Sequence, residues 1–233
     1  IEVAPDDFMA TPSLVKDLLP PGGLVLLIIP IDMEAPKGRL ILPEVQTIRD
    51  TLDNDAAALV VKEHQLAAIL RNLKRLPDLA VCDSQVIRQV AAEVPLEVPC
   101  TTFSILFARQ KGNLAAAAEG AAVIKTLRPG DRVLIAESCS HHPLQDDIGR
   151  AKIPRWLKEF VGGDLTIDVS AGHDYPKDLD QYRLVIHCGG CMLNRREMLS
   201  RIQKAKEADV PITNYGMAIS LTQGVIQIGR AHV

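Results

Sequence analysis

The residues His187-Cys188-Gly189-Gly190-Cys191 place two thiols two positions apart. That spacing serves three chemistries: a redox disulfide, a zinc site or an iron–sulfur cluster. A second cluster lies upstream in "ESCSHHPLQDD", with Cys139, His141 and His142. Three cysteines and up to three histidines in two clusters form a strong metal-site signal. Gly189 and Gly190 remove side chains where backbone must approach a bulky group. Their N–H groups can then point at sulfur. Cys191 is expected to open a helix, whose N-terminus favours a thiolate.

On the residues alone the alternatives stay open. A thioredoxin-like pair uses Cys188 and Cys191 but does not account for Cys139 in a His-rich loop. A structural zinc site with three cysteines and one histidine accounts for the ligands. Structural zinc, however, usually staples small domains with little core, and 47% of this chain is hydrophobic. Cys82 and Cys100 sit in or beside apolar strands and read as small buried hydrophobes. His64 and His173 read as surface or loop residues.

These side chains must be positioned by a core built almost without aromatics, which make up 3% of the 233 residues. An Ala, Val, Leu and Ile core suits buried parallel strands covered by helices. The net charge of −3 and a pI near 6.1 argue against a nucleic-acid binder, which shows a strongly basic face. The longest apolar run, "LVLLIIPI" at 24–31, is too short to span a bilayer. Five cysteines do not make a secreted disulfide scaffold, and their clustering favours metal or redox chemistry in a reducing, cytoplasmic setting. The chain starts at Ile1 in what reads as the tail of an earlier element. Its last six residues, "IGRAHV" at 228–233, match what one reading frame of a common sequencing adapter encodes and are expected to be foreign to the natural chain.

Along the chain, residues 1–21 carry four prolines and read as a linker with one short helix. From 24 the pattern alternates: strand "LVLLIIP", helix "LPEVQTIRDTLDND" with Pro43 in its first turn, strand "AALVV", helix "KEHQLAAILRNL", strand "DLAVCD", helix "SQVIRQVAAEV" capped by Asp83 or Ser84, and strand "VPCTTFSILFA". A second series follows: the Ala-rich helix "KGNLAAAAEGAAVIKTL", strand "RVLIAES", a loop over 139–150, helix "IPRWLKEFVG", strands "LTIDVS" and "YRLVIHC", a helix over 192–208, strand "VPITN" and a helix from 217. The fold class is α/β: two small Rossmann-like units with parallel sheets flanked by helices. The boundary falls near residue 107.

In open parallel sheets, ligands bind outside the carboxyl ends of the strands. Three loops of the second unit qualify: "ESCSHHPLQDD", HCGGC and "TNYGMA". They leave neighbouring strands and are expected to bring Cys139, Cys188 and Cys191 together, with His141, His142 and His187 close by.

The stretches "ESCSHHPLQDDIGRAKIPRWL", "HCGGCMLNRREMLSRI" and "PITNYGMAIS" resemble the C-terminal half of HydF, the GTPase-type scaffold family of [FeFe]-hydrogenase maturation. The family pattern, Cys-x-His followed at a distance by His-Cys-x-x-Cys, is met by Cys139-Ser140-His141 and His187 to Cys191. The match is dense from about 130 to 220, and 5–107 resembles the family's dimer-forming domain. The resemblance divides the chain into a linker (1–21), a dimerisation domain (22–107) and an iron–sulfur domain (108–233). It implies a [4Fe–4S] cluster on Cys139, Cys188 and Cys191, with one labile iron position. Candidates for that position, or for tuning around it, are His141, His187, Glu137 and His142. It further implies a homodimer that takes up a di-iron unit carrying CO, cyanide and a dithiolate, with two radical-SAM maturation proteins supplying the ligands. The unit then passes to apo-[FeFe]-hydrogenase, so the chain is a carrier and not an enzyme. An anionic cargo would be met by Arg150, Lys152 and Arg155, with Asn214 and Tyr215 lining the pocket beside Gly189 and Gly190. Arg195 and Arg196 read as a solvated helix face. The family begins with a GTP-binding domain, yet no G-x-x-x-x-G-K-[ST] phosphate loop occurs in these 233 residues.

Overall fold

A computed structural model describes residues 12–31, 37–138, 147–172 and 175–226. The chain folds into two four-stranded, all-parallel sheets. The first contains β1 (Leu24–Ile28), β2 (Ala57–Val61), β3 (Leu79–Cys82) and β4 (Cys100–Thr102), in the order β2-β1-β3-β4. The second contains β5 (Arg132–Ala136), β6 (Thr166–Ser170), β7 (Leu184–His187) and β8 (Ile212–Asn214), in the order β6-β5-β7-β8. The α/β class and the two Rossmann-like units are as the hydrophobic pattern predicts.

Eight α-helices among the described residues cover the sheets: α1 (Leu42–Asp53), α2 (Leu66–Asn72), α3 (Ile87–Glu93), α4 (Phe103–Lys111), α5 (Leu114–Val123), α6 (Ile153–Val161), α7 (Arg195–Glu207) and α8 (Tyr215–Thr222). Each central strand alternates its side chains between two cores. Leu26, Ile28, Ala80 and Cys82 of the first sheet share one apolar cluster with Val133, Ile135, Leu184 and Ile186 of the second, with α6 and α8 contributing. The other face of the first sheet packs Val25, Leu27 and Val81 on Phe103, Leu106 and Phe107 of α4. The other face of the second packs Leu134, Ala136 and Val185 on Ala205 of α7. The two units are therefore joined through a common core.

Four boundaries differ from the expectation. "VPCTTFSILFA" is not one strand: β4 stops at Thr102, whose hydroxyl accepts from the Ile105 N–H at 3.2 Å and starts α4. An apolar run of this length suits either element, and the cap decides it. The Ala-rich helix does not begin at Lys111, which ends α4. Gly112 breaks the chain and the Asn113 side chain caps α5 from the Ala116 N–H at 3.0 Å. The helix after the Cys pair begins at Arg195, capped by Asn194 from the Glu197 N–H at 2.9 Å, so Cys191 sits in a turn before it. Residues 148–152 form a wide π-type turn leading into α6 rather than loop.

Residues 12–21, expected as linker, carry Leu14 and Val15 into the first core. The Asp50 carboxylate fixes them by accepting from both of their N–H groups at 2.9 Å. No helix among the described residues is long and apolar enough to cross a membrane.

Candidate metal centre

The site forms at the carboxyl ends of β5, β7 and β8, which run side by side. The last paired residues are Ala136 with His187, and His187 with Asn214. Beyond β5 come Glu137 and Ser138; Cys139, His141 and His142 lie outside the described residues, as does His173. Beyond β7, the Cys188 N–H extends the ladder by donating to Ala136 O at 2.8 Å. Ser138 then meets Cys188 directly. Its N–H lies 3.1 Å from Cys188 Sγ and its Oγ 2.8 Å. The residue preceding Cys139 is thus in contact with the first thiol of the Cys-x-x-Cys loop. Among the described residues, no three His, Cys, Asp or Glu side chains gather as a metal-binding group.

The loop geometry explains one of the two glycines. Gly190 has φ +63°, and a Cβ there would meet Met198 Cε at 2.3 Å. Gly189 has room, since a Cβ would meet only Ser104 Oγ at 3.7 Å. Cys191 follows in the turn, and the backbone carbonyls around it are gathered by Lys111. The Lys111 ammonium donates to Gly190 O at 3.3 Å, Cys191 O at 3.2 Å and Leu193 O at 3.0 Å, and lies 4.9 Å from the Phe107 ring centre.

The two thiols are tuned in opposite directions. Burial pushes Cys191 up, and a nearby Cys188 thiolate pushes it further, against the Lys111 charge. Burial also raises Cys188, but the adjacent His187 ring and hydrogen bonds from Ser138 and the Gly190 amide outweigh it and bring the thiol to about 7. His187 Nε2 lies 3.1 Å from Arg201 Nη1, which can only donate, so Nε2 accepts and Nδ1 carries the proton. That Nδ1–H donates to Cys188 O at 2.7 Å. Arg201 is itself buried, 1% exposed. It donates to Gly172 O at 2.7 Å, pairs with Glu197 at 3.4 Å and stacks 5.2 Å from the Tyr175 ring. Burial pushes the Tyr175 hydroxyl up to about 12, so the stacking partner is neutral.

The remaining predicted site residues are placed as follows. Glu137 is buried and accepts two hydrogen bonds from Arg150 on Oε2, at 2.8 and 3.2 Å. Tyr215 packs close over Gly149 beside Glu137: a Cβ at Gly149 would meet Tyr215 Oη at 2.1 Å and Glu137 Oε1 at 2.8 Å. Lys152 reaches away to Gln85 Oε1 at 2.6 Å. Arg155 is exposed on α6. Asn214 is held by two bonds to the fold. Its Oδ1 caps α8 from the Met217 N–H at 2.8 Å, and its Nδ2 donates to Ser104 O of α4 at 2.8 Å. It also borders a small, mainly apolar cavity of about 30 Å³ with His187, Cys188, Gly189 and Met198. His64 is exposed, Cys82 is fully buried and Cys100 half-buried.

Sequence reading missed Ser138, Lys111 and Arg201. Arg201 left a trace, because it interrupts the buried stripe Met198–Ala205 of α7, where an apolar residue belongs. Lys111 left none: nothing local distinguishes a lysine at a helix end.

A thiol pair with fixed N–H and O–H donors, next to a third cysteine in sequence, is a donor set for a soft metal or an iron–sulfur cluster. The comparisons with known proteins bear on the same region. No curated protein matches the sequence. Among solved structures, an N-acetyl-L-ornithine transcarbamylase mutant complexed with PALAO is similar at 10% identity over 89% of this chain and 88% of that chain, with a TM-score of 0.33, too distant to bear on the site. Residues 14–112 match the hydrogen maturase F dimerization domain, and 115–231 match the hydrogen maturase F tetramerization domain. Both are domains of self-association, and together they take in both sheets and the whole Cys188–Cys191 loop. The chain belongs to the hydrogen maturase F family, and its role is in hydrogenase maturation.

Proposed function

We propose that this chain holds a [4Fe–4S] cluster on Cys139, Cys188 and Cys191. On this reading it is a carrier that accepts a di-iron unit with CO, cyanide and dithiolate ligands from the radical-SAM maturation proteins and passes it to apo-[FeFe]-hydrogenase. The observation that carries the reading is the contact of Ser138 N–H and Oγ with Cys188 Sγ. It brings Ser138, the residue before Cys139 in the sequence, against the Cys-x-x-Cys loop, on adjacent strand ends of a hydrogen maturase F domain.

Bound there, a cluster with three protein thiolates supplies an iron open to a labile ligand. The chain's own residues do the rest. Ser138 donates to the Cys188 sulfur and disperses its charge. His187 holds the Cys188 carbonyl with Nδ1–H while Arg201 occupies Nε2, so the ring orients the loop instead of binding metal. Glu137 is likewise held by Arg150. The exchangeable position is then left to His141, His142 or solvent. Asn214 and Tyr215 shape the wall beside the loop, and no residue here is assigned a catalytic step.

Anaerobic reconstitution with iron and sulfide tests this. The expected result is brown protein with an EPR signal on reduction, lost in Cys139→Ala, Cys188→Ala and Cys191→Ala alike. Colourless protein with a titratable Cys188–Cys191 disulfide would sink the cluster reading in favour of thiol–disulfide chemistry. Metal retained as zinc alone would favour a structural site.

A further inference from the structure

We infer that Lys111, a residue of the first module, is a positioning residue and counter-charge for the metal-binding loop of the second. The inference rests on the cluster reading above. Lys111 ends α4, the helix that follows the last strand of the first sheet, and lies within the matched dimerization domain. Its side chain leaves that module and is 9% exposed. The ammonium has three protons and meets three carbonyls, those of Gly190, Cys191 and Leu193. All three belong to the single turn that presents Cys191.

Two features point beyond scaffolding. First, among the described residues no carboxylate pairs with this ammonium. A buried cation without a carboxylate partner is costly. Carbonyl dipoles and the Phe107 face relieve part of that cost; a negative charge at the adjacent loop would relieve the rest. Three thiolates around a cluster supply that charge. Second, the contact crosses between modules. α4 also carries Ser104, which accepts from the Asn214 amide at 2.8 Å through its carbonyl and from the Gly216 N–H at 3.2 Å through its hydroxyl. One helix of the first module thus holds both the Cys191 turn and the β8–α8 junction.

The test uses the whole chain with Lys111→Met and Lys111→Arg. In metal-free protein, Lys111→Met should speed amide hydrogen exchange across 188–194 about ten-fold, while β5 and β7 keep their protection. In reconstituted protein it should lower the reduction potential, since removing a cation disfavours the added electron, and iron loss to a chelator should quicken about ten-fold. Lys111→Arg keeps the charge, so its potential should stay near wild type although the loop exchanges faster. Unchanged exchange, potential and chelator rate in Lys111→Met would overturn the inference while leaving the cluster reading intact. A wild type that takes up no cluster would overturn both. If Lys111→Met does not fold, Lys111→Gln repeats the measurements. Failure of both to fold would make Lys111 a global structural residue and end the proposal.

Discussion

The two sheets have the same strand order and the same parallel pairing, yet only the second carries a Cys-x-x-Cys loop at its strand ends. Their last paired residues correspond by register. Ile28, Cys82 and Thr102 close the first sheet where Ala136, His187 and Asn214 close the second. The fourth strands behave alike. Thr102 and Asn214 each end a strand and cap the next helix without an intervening loop. The third strands diverge. After Cys82, Asp83 alone leads into the next helical turn, and its side chain caps that turn at Gln85. After His187, residues 188–194 intervene before α7. The insertion holds both thiols, both glycines and the turn gripped by Lys111. This topology provides converging strand ends in either unit, and a loop grafted onto one of them provides the candidate site.

The largest test of this contrast exchanges the two third-strand ends. Cys188→Ala should lose essentially all bound iron after reconstitution, whereas Cys82→Ala, one step from the corresponding position, should keep a wild-type iron and sulfide content. Equal iron loss in both would erase the distinction between the sheets.

The packing of the two helix junctions against each other comes next. A Cβ at Gly216 would stand 2.8 Å from Ser104 Cβ and 2.9 Å from Thr102 Oγ1. Gly216→Ala should cost about 3 kcal/mol by overpacking, seen as a lower denaturation midpoint in urea. A neutral result would mean that the junctions have room to separate.

Within the inserted loop, the two glycines should part company. Gly190→Ala meets both a left-handed φ and Met198, and should cost about 2 kcal/mol. Gly189→Ala should change thermal unfolding by less than about 0.5 kcal/mol. Similar losses at both positions would show that Gly189, too, is constrained by its neighbours.

The smallest effect separates the two caps. Thr102→Ala should cost about 1 kcal/mol for the lost cap. Asn214→Ala should cost about 2 kcal/mol, because it also removes the bond to Ser104 O. Paired chemical denaturation curves with equal losses would mean the cross-module bond contributes nothing.

Much of this was legible in the residues. Period and punctuation revealed two parallel units, because buried aliphatic runs between capped helices admit few other readings. The Cys188–Cys191 pair and the Glu137–Ser138 segment were placed on neighbouring strand ends for the same reason. The start of α4 was not legible, since Thr101 to Phe107 reads equally as strand or helix until the Thr102 cap is seen. Nor were the two bonds that hold Asn214 legible: its amide caps α8 and reaches Ser104 O, a residue far away in sequence.

The sequence by itself therefore determined the fold class, the family and the thiol pair, all of which rest on local pattern and spacing. Only the tertiary structure decided which groups surround that pair. Ser138 meeting Cys188, Arg201 setting the His187 tautomer and Lys111 reaching the Cys191 turn are contacts between residues distant in the chain. They exist because α4 and α7, each packed on the far face of its own sheet, meet beside the ends of β5 and β7, and no local preference of a serine, arginine or lysine announces them.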